Sequence, residues 1–287
     1  MKPPPFDYFA AHDLEEALEP LAEGGGDALV LAGGQTLLPL LAYRLAAPTL
    51  LVDINGVAAL QGISRVGDGV RIGAMTRQAT ILRDPIIAAQ TPGLAMAARF
   101  VGHTQTRARG TLGGSLSFAE PAAEFPATAL ALGARMEVRS RDGARTLEAD
   151  EFFLGPYTTA MAPDEIMTSV TFPDWGPDAR VVVHEVARRS GDFALVGLVM
   201  ASRVEAGKVV RTAISWFGMG PTPLRSLQAE QAMTGQAVSD LDFAALAELA
   251  VADTDPPDDI QASAHYRRTV ARRIFPRLAR QTLEAVG

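Results

Sequence analysis

The stretch Ala28–Thr36, which reads ALVLAGGQT, determines the fold of the N-terminal part of the chain. Its apolar start, Ala28–Leu31, is typical of a short buried strand, and Leu37–Arg44 beyond it has helical composition. Between them, Gly33-Gly34-Gln35-Thr36 predicts a tight turn, because glycines allow positive φ and a close approach of a ligand. Backbone N–H groups in such a turn bind anions, and a pyrophosphate is the natural ligand. An ordinary glycine-rich turn is the alternative, since the motif is neither the Rossmann nor the P-loop pattern.

A second Gly-Gly turn lies in Arg109–Ser115, which reads RGTLGGS. Two such turns could hold a dinucleotide from two sides, although either could be purely structural. Glu120 and Glu124 follow closely, and a carboxylate beside a nucleotide can accept hydrogen bonds from ribose hydroxyls. The alternative is that both acids only favour the start of the next helix, as carboxylates do near a helix N-terminus.

Composition narrows the class of protein. The 287 residues carry a net charge of −7, which argues against binding of nucleic acid and against docking on anionic membranes. The sequence contains no cysteine, so redox chemistry would need a bound organic cofactor rather than an iron–sulfur cluster. The 4 histidines lack metal-ligand spacing, and no metal site is expected. No apolar run reaches the roughly 18 residues of a membrane span, and none follows Met1–Pro5 as in a signal peptide, so we expect a cytoplasmic protein.

Residue patterns divide the chain into three parts. Residues 1–55 combine a helix that starts after Asp13 with strands at Ala28–Leu31 and Leu50–Ile54. Residues 56–175 begin with a hairpin around Gly67-Asp68-Gly69 and end in the proline-rich linker 173–177. Within them we predict helices at 76–82, 85–89, 93–100 and 121–132, a hairpin at 135–147, a strand at 165–172 and an extended loop at 102–119.

Residues 176–287 have the pattern of an α+β domain. Strand-like runs at 181–187, 194–204 and 209–219 precede helices near 225–233 and 243–252, which indicates an antiparallel sheet with helices. The last predicted helix runs from about residue 261 to 284, with an interruption at Pro276. It carries a row of arginines from Arg267 to Arg280. These could dock another subunit, or they could be solvated or paired with the chain's own acidic residues.

Together these motifs resemble the FAD-binding medium subunit of the molybdenum hydroxylases, the family of carbon monoxide dehydrogenase and xanthine dehydrogenase. The similarity extends from about residue 4 to 280 and depends on the combination of motifs rather than on any single one. The matching segments are Ala32–Pro39, Ile72–Arg77, Arg109–Ser115 with the following Glu-Pro-Ala-Ala-Glu, Gly155–Ala160, Pro163–Met167 and Arg189–Ala194.

The resemblance implies an α+β fold of three domains. Residues 1–55 and 56–175 would be two α/β subdomains that hold FAD, as in the vanillyl-alcohol-oxidase type of flavin fold, and residues 176–287 a C-terminal α+β domain with an antiparallel sheet. The residues that the resemblance assigns to FAD are Ala32, Gly33, Gly34, Gln35, Thr36, Thr111, Gly113, Gly114 and Ser115 around the pyrophosphate, Val101 and Gly102 beside the flavin, Glu124 as a cofactor contact, Ile166 and Met167 in the adenine or ring pocket, and Asp192 and Phe193 near the isoalloxazine. The sequence departs from the family at Glu185, where relatives often have lysine, at Phe193, where some have tyrosine, and at Ala108, where asparagine is common.

The resemblance also implies a role and partners. The chain would be the electron-transfer subunit of a molybdenum hydroxylase and would bind FAD non-covalently. A small [2Fe-2S] subunit and a large molybdenum-cofactor subunit would complete a dimer of heterotrimers, a heterohexamer. No catalytic residue is assigned. A self-contained FAD-dependent oxidase, or a degenerate assembly subunit that has lost FAD, remain as alternatives.

Overall fold

The N-terminal part forms a small parallel sheet. The computed structural model describes residues 2–284. Its first elements are β1 (Asp7–Ala10), α1 (Leu14–Gly24), β2 (Ala28–Leu31), α2 (Leu37–Ala42) and β3 (Leu50–Asp53). The strand order is β1-β3-β2, and both pairings are parallel. The start of α1 is fixed by a reciprocal cap, in which the Glu16 amide donates to Asp13 and the His12 amide donates to the Glu16 carboxylate, both at 2.9 Å.

The middle part is built on a second, antiparallel sheet. Its strands are β4 (Ile63–Val66), β5 (Gly69–Gly73), β6 (Arg135–Ser140), β7 (Gly143–Glu148), a short pair β8 (Phe153–Gly155) and β9 (Thr158–Thr159), and β10 (Ile166–Pro173). Its helices are α3 (Gln78–Ile81), α4 (Pro85–Gln90), α5 (Pro92–Phe100), α6 (Thr104–Arg109), α7 (Leu112–Phe118), α8 (Glu124–Leu132) and α9 (Ala149–Phe152). The order β4-β5-β10-β6-β7 places β10, the last strand in sequence, at the centre of five. The first and last strands of this part therefore meet in one sheet.

The prediction of an extended loop at 102–119 is wrong, because this segment contains α6 and α7. The two helices have 6 and 7 residues, too few to show a readable apolar period. Local bonding and packing fix α7 instead. The Thr111 hydroxyl accepts the Gly114 amide at 3.1 Å, and Leu112 and Leu116 are fully buried. Tertiary contacts thus override the poor helix propensity of the glycines.

The C-terminal part is a four-stranded antiparallel sheet covered by helices. Its elements are β11 (Ala179–Val186), β12 (Val196–Glu205), β13 (Lys208–Phe217), β14 (Leu224–Arg225), α10 (Leu227–Met233), α11 (Phe243–Ala252) and α12 (Ala264–Leu283). Alternation along β12 gives the sheet two apolar faces. Leu198 and Met200 join the core formed with α11 and α12, whereas Val199 and Ala201 join the core that contains α8. All 9 residues of α8 are buried, so this helix is enclosed between the second and third sheets.

The helix α12 corrects one prediction and shows intrachain ion pairs at several of its arginines. The predicted interruption at Pro276 is wrong, because α12 continues through this proline, flanked by buried Phe275 and Leu278. Several of the predicted arginines pair within the chain. The ion pairs are Arg267 with Asp259 at 2.7 Å, Arg268 with Asp255 at 3.7 Å, Arg272 with Glu248 at 2.7 Å and Arg280 with Glu284 at 3.8 Å. Arg267 is 3% exposed and donates to the Leu195 carbonyl at 2.6 Å, so it stabilises the fold rather than a surface.

Across the described residues 2–284, none of the helices combines the length and the apolar character needed to cross a membrane.

Candidate functional site

One cavity collects every residue that the sequence assigned to a cofactor. It has a volume of about 570 Å³, within the range of ligand sites in proteins. Its walls come from the turn after β2, the start of α7, the start of β10 and the segment before β12. The predicted residues that line it are Ala32, Gly33, Gly34, Gln35, Thr36, Val101, Gly102, Thr111, Gly113, Gly114, Ser115, Glu124, Ile166, Met167, Asp192 and Phe193.

The first Gly-Gly turn offers unpaired amides to this cavity. Within residues 2–284, the backbone N–H groups of Gly33, Gly34, Gln35 and Thr36 donate to no protein acceptor. Gly34 has a φ of 69°, in the left-handed region that favours glycine. Because successive free backbone N–H groups in a turn can bind an anion together, a turn of this kind is suited to an anionic ligand.

The second Gly-Gly turn uses its amides inside the protein. The Gly113 amide donates to the Ala74 carbonyl at 2.8 Å and the Gly114 amide to the Thr111 hydroxyl at 3.1 Å. The Ser115 amide donates to the Thr111 carbonyl at 3.3 Å. A Cβ on Gly113 would lie 2.6 Å from that of Ala74, so glycine is required there for close packing. This turn therefore presents its surface and the Ser115 side chain to the cavity, rather than free amides.

A polar network holds the two turns together. Asn55 donates to the Ala32 carbonyl at 2.8 Å and accepts a hydrogen bond from Arg77 at 2.6 Å. Arg77 also donates to the Arg109 carbonyl. Gly33 packs directly on this segment, since a Cβ there would lie 2.9 Å from the Gly110 Cα. Asn55 and Arg77 thus position both turns, although neither is among the residues that the resemblance assigns to FAD.

Acidic side chains line another part of the cavity wall. Glu124, the first residue of α8, is 5% exposed, and its carboxyl makes no hydrogen bond to another residue among those described. Burial, with smaller contributions from the charges of Glu185 and Glu120, raises the pKa of Glu124 to about 8. Burial also raises the pKa of Glu185, on β11, to about 7. Glu124 is therefore mostly protonated at neutral pH.

Two loops at the cavity, one at residues 101–102 and one at Gly191, are held by specific contacts. The Arg107 guanidinium donates to the Val101 and Gly102 carbonyls at 2.8 and 3.0 Å and fixes the turn between α5 and α6. Gly191 packs against the ring of His103, where a Cβ would lie 2.7 Å from Nδ1. His103 is an exposed residue and is not one of those that line the cavity, whereas Phe193 lines the cavity and is 57% exposed.

Several cavity residues are not among those that the sequence assigned to a cofactor. Gln78 is 5% exposed, and its Oε1 is buried without a hydrogen-bond partner in the described chain. Glu165 also lines the cavity and forms an ion pair with Arg145 at 2.6 Å. Neither has a local signal, because a glutamine at a helix start and a glutamate before a strand look like ordinary surface residues. Within residues 2–284, no group of three or more His, Asp or Glu side chains is arranged to hold a metal ion.

Comparison with known proteins shows the protein family to which this chain belongs. The family model described as FAD binding domain in molybdopterin dehydrogenase matches residues 4–175, and that of the CO dehydrogenase flavoprotein C-terminal domain matches residues 182–282. The chain therefore belongs to the family of FAD-binding medium subunits of the molybdenum hydroxylases, the flavoprotein subunits of oxidoreductases.

Individual relatives share this whole architecture. The chain is 38% identical to the 6-hydroxypseudooxynicotine dehydrogenase complex subunit alpha of Paenarthrobacter nicotinovorans, over 99% of this chain and 96% of the relative. The solved carbon monoxide dehydrogenase of Hydrogenophaga pseudoflava contains a chain that matches with a TM-score of 0.95 and 35% identity, over 98% of both chains. Quinoline 2-oxidoreductase from Pseudomonas putida 86 matches with a TM-score of 0.93 and 34% identity, over 99% of both chains.

The residues of the cavity fit FAD, the cofactor of this family. Unpaired amides at Gly33–Thr36 can bind the phosphates, and the apolar side chains of Ile166 and Met167 can cover a flat ring. Gln78 supplies a buried Oε1 that has no hydrogen-bond partner among the described residues, and Glu124 supplies a buried carboxyl group. The site thus has complementary chemistry for each part of a flavin dinucleotide.

Proposed function

We propose that this chain is the FAD-binding electron-transfer subunit of a molybdenum hydroxylase. It would receive electrons from iron–sulfur clusters of a small partner subunit and pass them to an external acceptor. A large molybdenum-cofactor subunit would oxidise the organic substrate. When bound, FAD supplies the chemistry that allows two electrons to be collected singly and delivered to an acceptor.

The cavity with its free amides is the observation that carries this proposal. The turn Gly33–Thr36 would bind the pyrophosphate through backbone N–H groups, and Thr111–Ser115 would support it from the other side. Val101, Gly102, Asp192 and Phe193 would enclose the flavin. Ile166 and Met167 would line the adenine or ring pocket. The network through Asn55 and Arg77 would keep both turns in place.

The absence of cysteine supports the need for partner chains. The sequence has no thiolate to bind an iron–sulfur cluster, so clusters must belong to another subunit. Relatives are named as subunits of complexes, such as the carbon monoxide dehydrogenase medium chain of Hydrogenophaga pseudoflava. A dimer of heterotrimers with a small [2Fe-2S] subunit and a large molybdenum subunit is the assembly we propose, in the cytoplasm. We further propose domains at 1–55, 56–175 and 176–287.

The proposed attachment of FAD is non-covalent. Common covalent anchors for flavins are His, Cys and Tyr side chains, and the described residues that line the cavity include none of these. FAD should therefore be released by acid or denaturant. A flavin mass increment that survives denaturation would contradict this part of the proposal.

Purification of the chain alone tests the function. A yellow protein that is inert with organic substrates but oxidises an artificial reductant supports an electron-transfer subunit. Turnover of an organic substrate by the isolated chain would instead indicate a self-contained oxidase. A colourless protein that takes up no FAD would indicate a degenerate assembly subunit. The described residues that line the cavity include no histidine, the side chain that most often acts as acid or base in enzymes, and this disfavours the oxidase.

A further inference from the structure

Glu165 is an acidic residue of the cavity wall to which neither the sequence motifs nor the proposed function give a role. It directly precedes β10, and its side chain is 8% exposed. Ile166 and Met167, the next two residues, are buried and line the same cavity. A charged group that is almost completely withdrawn from water needs hydrogen bonds to offset its lost hydration. The contacts of Glu165 therefore indicate what this part of the wall can bind.

The Glu165 carboxylate is held in one orientation by hydrogen bonds from two residues. The Arg145 guanidinium donates from Nε to Oε1 at 2.6 Å and from Nη2 to Oε2 at 2.8 Å. The Ala162 amide donates to Oε2 at 2.7 Å. Arg145 is itself fixed, because it also donates to the Ala160 carbonyl at 2.8 Å. A paired fork of this kind sets the position and the plane of a carboxylate before any ligand arrives.

One acceptor position of this carboxylate is unused by the described residues. An ionised carboxylate has about four lone-pair sites, and the donors named above occupy one site of Oε1 and both sites of Oε2. The hydrogen bond from Arg145 also keeps the pKa of Glu165 below its usual value, so the group is ionised at neutral pH and can only accept. Oε1 can therefore take one further N–H or O–H donor from a ligand, and it would repel a carbonyl oxygen.

We infer that Glu165 recognises the adenine ring of FAD, and that its Oε1 accepts a hydrogen bond from the exocyclic amino group while the ring lies against Ile166 and Met167. The inference rests on the proposed function in placing FAD in this cavity. Of the two flat rings of FAD, the isoalloxazine has its ring N–H donor between two carbonyls, which an ionised carboxylate repels. Adenine has an amino group at its edge and no carbonyl. Glu165 is thus a specificity residue that favours an aminopurine over an oxopurine.

The direct test compares FAD with its deaminated analogue, flavin hypoxanthine dinucleotide, in which a carbonyl replaces the amino group. Isothermal titration calorimetry of the full-length apoprotein at neutral pH measures the Kd of each ligand. The analogue loses a hydrogen bond to a charged group and places a carbonyl oxygen opposite the carboxylate. We therefore expect the wild type to bind FAD about 10- to 100-fold more tightly than the analogue.

Two variants separate adenine recognition from a structural role of the ion pair. In Glu165→Gln the Kd values for FAD and the analogue should become similar, because an amide can accept from an amino group or donate to a carbonyl. FMN lacks adenine, so its Kd should not change in this variant. Glu137→Gln is the matched control, since Glu137 also pairs with an arginine, Arg71 at 3.0 Å, but is not among the described residues that line the cavity. It should keep the discrimination of the wild type.

The outcomes distinguish this inference from the proposed function. If the wild type binds FAD and the hypoxanthine analogue equally tightly, the inference is wrong while the proposed function stands. Discrimination that persists in Glu165→Gln would also overturn it. If Glu165→Gln weakens the binding of FMN as much as that of FAD, the carboxylate supports the fold or contacts the flavin ring, and adenine recognition is again wrong. If the wild-type apoprotein binds no flavin at all, the proposed function itself fails.

Discussion

The two Gly-Gly turns of this protein have similar sequences and opposite hydrogen-bonding roles. In Gly33-Gly34 the amides remain free within the described chain and face a cavity, whereas in Gly113-Gly114 they bond to Ala74 and Thr111. The residue three positions before the second glycine explains the difference. It is Thr111 in the second turn, where its hydroxyl caps α7, and Leu31 in the first turn, where no side-chain acceptor exists. A glycine pair therefore indicates an anion site only when no nearby cap satisfies its amides.

Close packing also distinguishes the two turns. Gly33 packs on the backbone of Arg109 and Gly110, so the first turn depends on its contact with the second. Gly113 packs on Ala74 at the end of β5, so the second turn is anchored in the middle sheet. The second turn is a structural support, and the first is the part that we propose binds the ligand.

The largest expected effect comes from Gly33→Val. Its side chain would overlap the Arg109–Gly110 backbone, and relief of that overlap would separate the two turns. We expect FAD affinity to fall at least about a hundredfold, and stability to fall by about 1–3 kcal/mol through overpacking. Flavin content after gel filtration and the Tm of the apoprotein measure these effects. Gly67→Val is the control, because a Cβ there meets no atom within 4 Å. Full FAD content in Gly33→Val would remove the first turn from the binding site.

A smaller effect on binding is expected for Gly113→Ala. Contact with the Ala74 Cβ, at 2.6 Å, should destabilise the protein by about 1–3 kcal/mol. The ratio of the affinities for FAD and riboflavin should stay near the wild-type value, because the amides of this turn are already bonded inside the protein. Denaturant unfolding measures the loss of stability, and fluorescence titration with both flavins gives the ratio of their affinities. A selective loss of FAD affinity would show that the second turn binds phosphate directly.

Arg77→Met tests the connection between the turns. It removes the hydrogen bonds to Asn55 and to the Arg109 carbonyl, which join the first turn to the second. Since a hydrogen bond from a charged group contributes about 1.5–3 kcal/mol, we expect the Kd for FAD to rise about tenfold. Arg83→Met is the matched control, because the Arg83 side chain is exposed and makes no hydrogen bond or ion pair within residues 2–284. Equal affinities of the two variants would argue that the turns hold their positions independently.

The smallest effect is expected for Thr111→Val, which keeps the shape of the side chain and removes the cap of α7. The half-buried Gly114 amide would lose its acceptor, at a cost of about 1 kcal/mol. For a chain of this size, the Tm should fall by about 2–4 °C for each kcal/mol lost. Thr111→Ser keeps the hydroxyl and should retain most of the stability. If Thr111→Val and Thr111→Ser have the same Tm in calorimetry, the cap of α7 does not stabilise this turn.

Local patterns predicted those elements whose residues carry their own signal. The strand Ala28–Leu31 has the predicted bounds, and α11, at Phe243–Ala252, agrees equally well. Short helices such as α6 and α7 escaped prediction, because contacts with distant residues stabilise them rather than a periodic apolar face. Pro276 misled for a related reason, since the buried neighbours of α12 keep the helix continuous despite one missing N–H.

In the candidate site, too, features that depend on distant contacts were not predictable from local sequence. The motifs of the family resemblance identified residues that line one cavity. The contacts of Gln78 and Arg77 were not predictable in this way, because their hydrogen-bond partners, Thr111 and Asn55, lie far away in the sequence. The raised pKa of Glu124 was equally unpredictable, because it depends on burial between two sheets and on a carboxylate that comes from a third part of the chain. Charge and burial that arise from the tertiary fold leave no mark on local sequence.

The enclosed position of α8 has a consequence for the electron transfer that we propose. Every residue of this helix is buried, and it touches both the middle and the C-terminal sheets. The helix cannot shift unless the cores on both sides open, so the dipoles around its tip are fixed before any electron arrives. A polar environment that is already oriented needs little rearrangement when the charge of its neighbour changes. The enclosed helix should therefore give the cofactor site a low reorganisation energy, the quantity that favours rapid electron exchange in both directions.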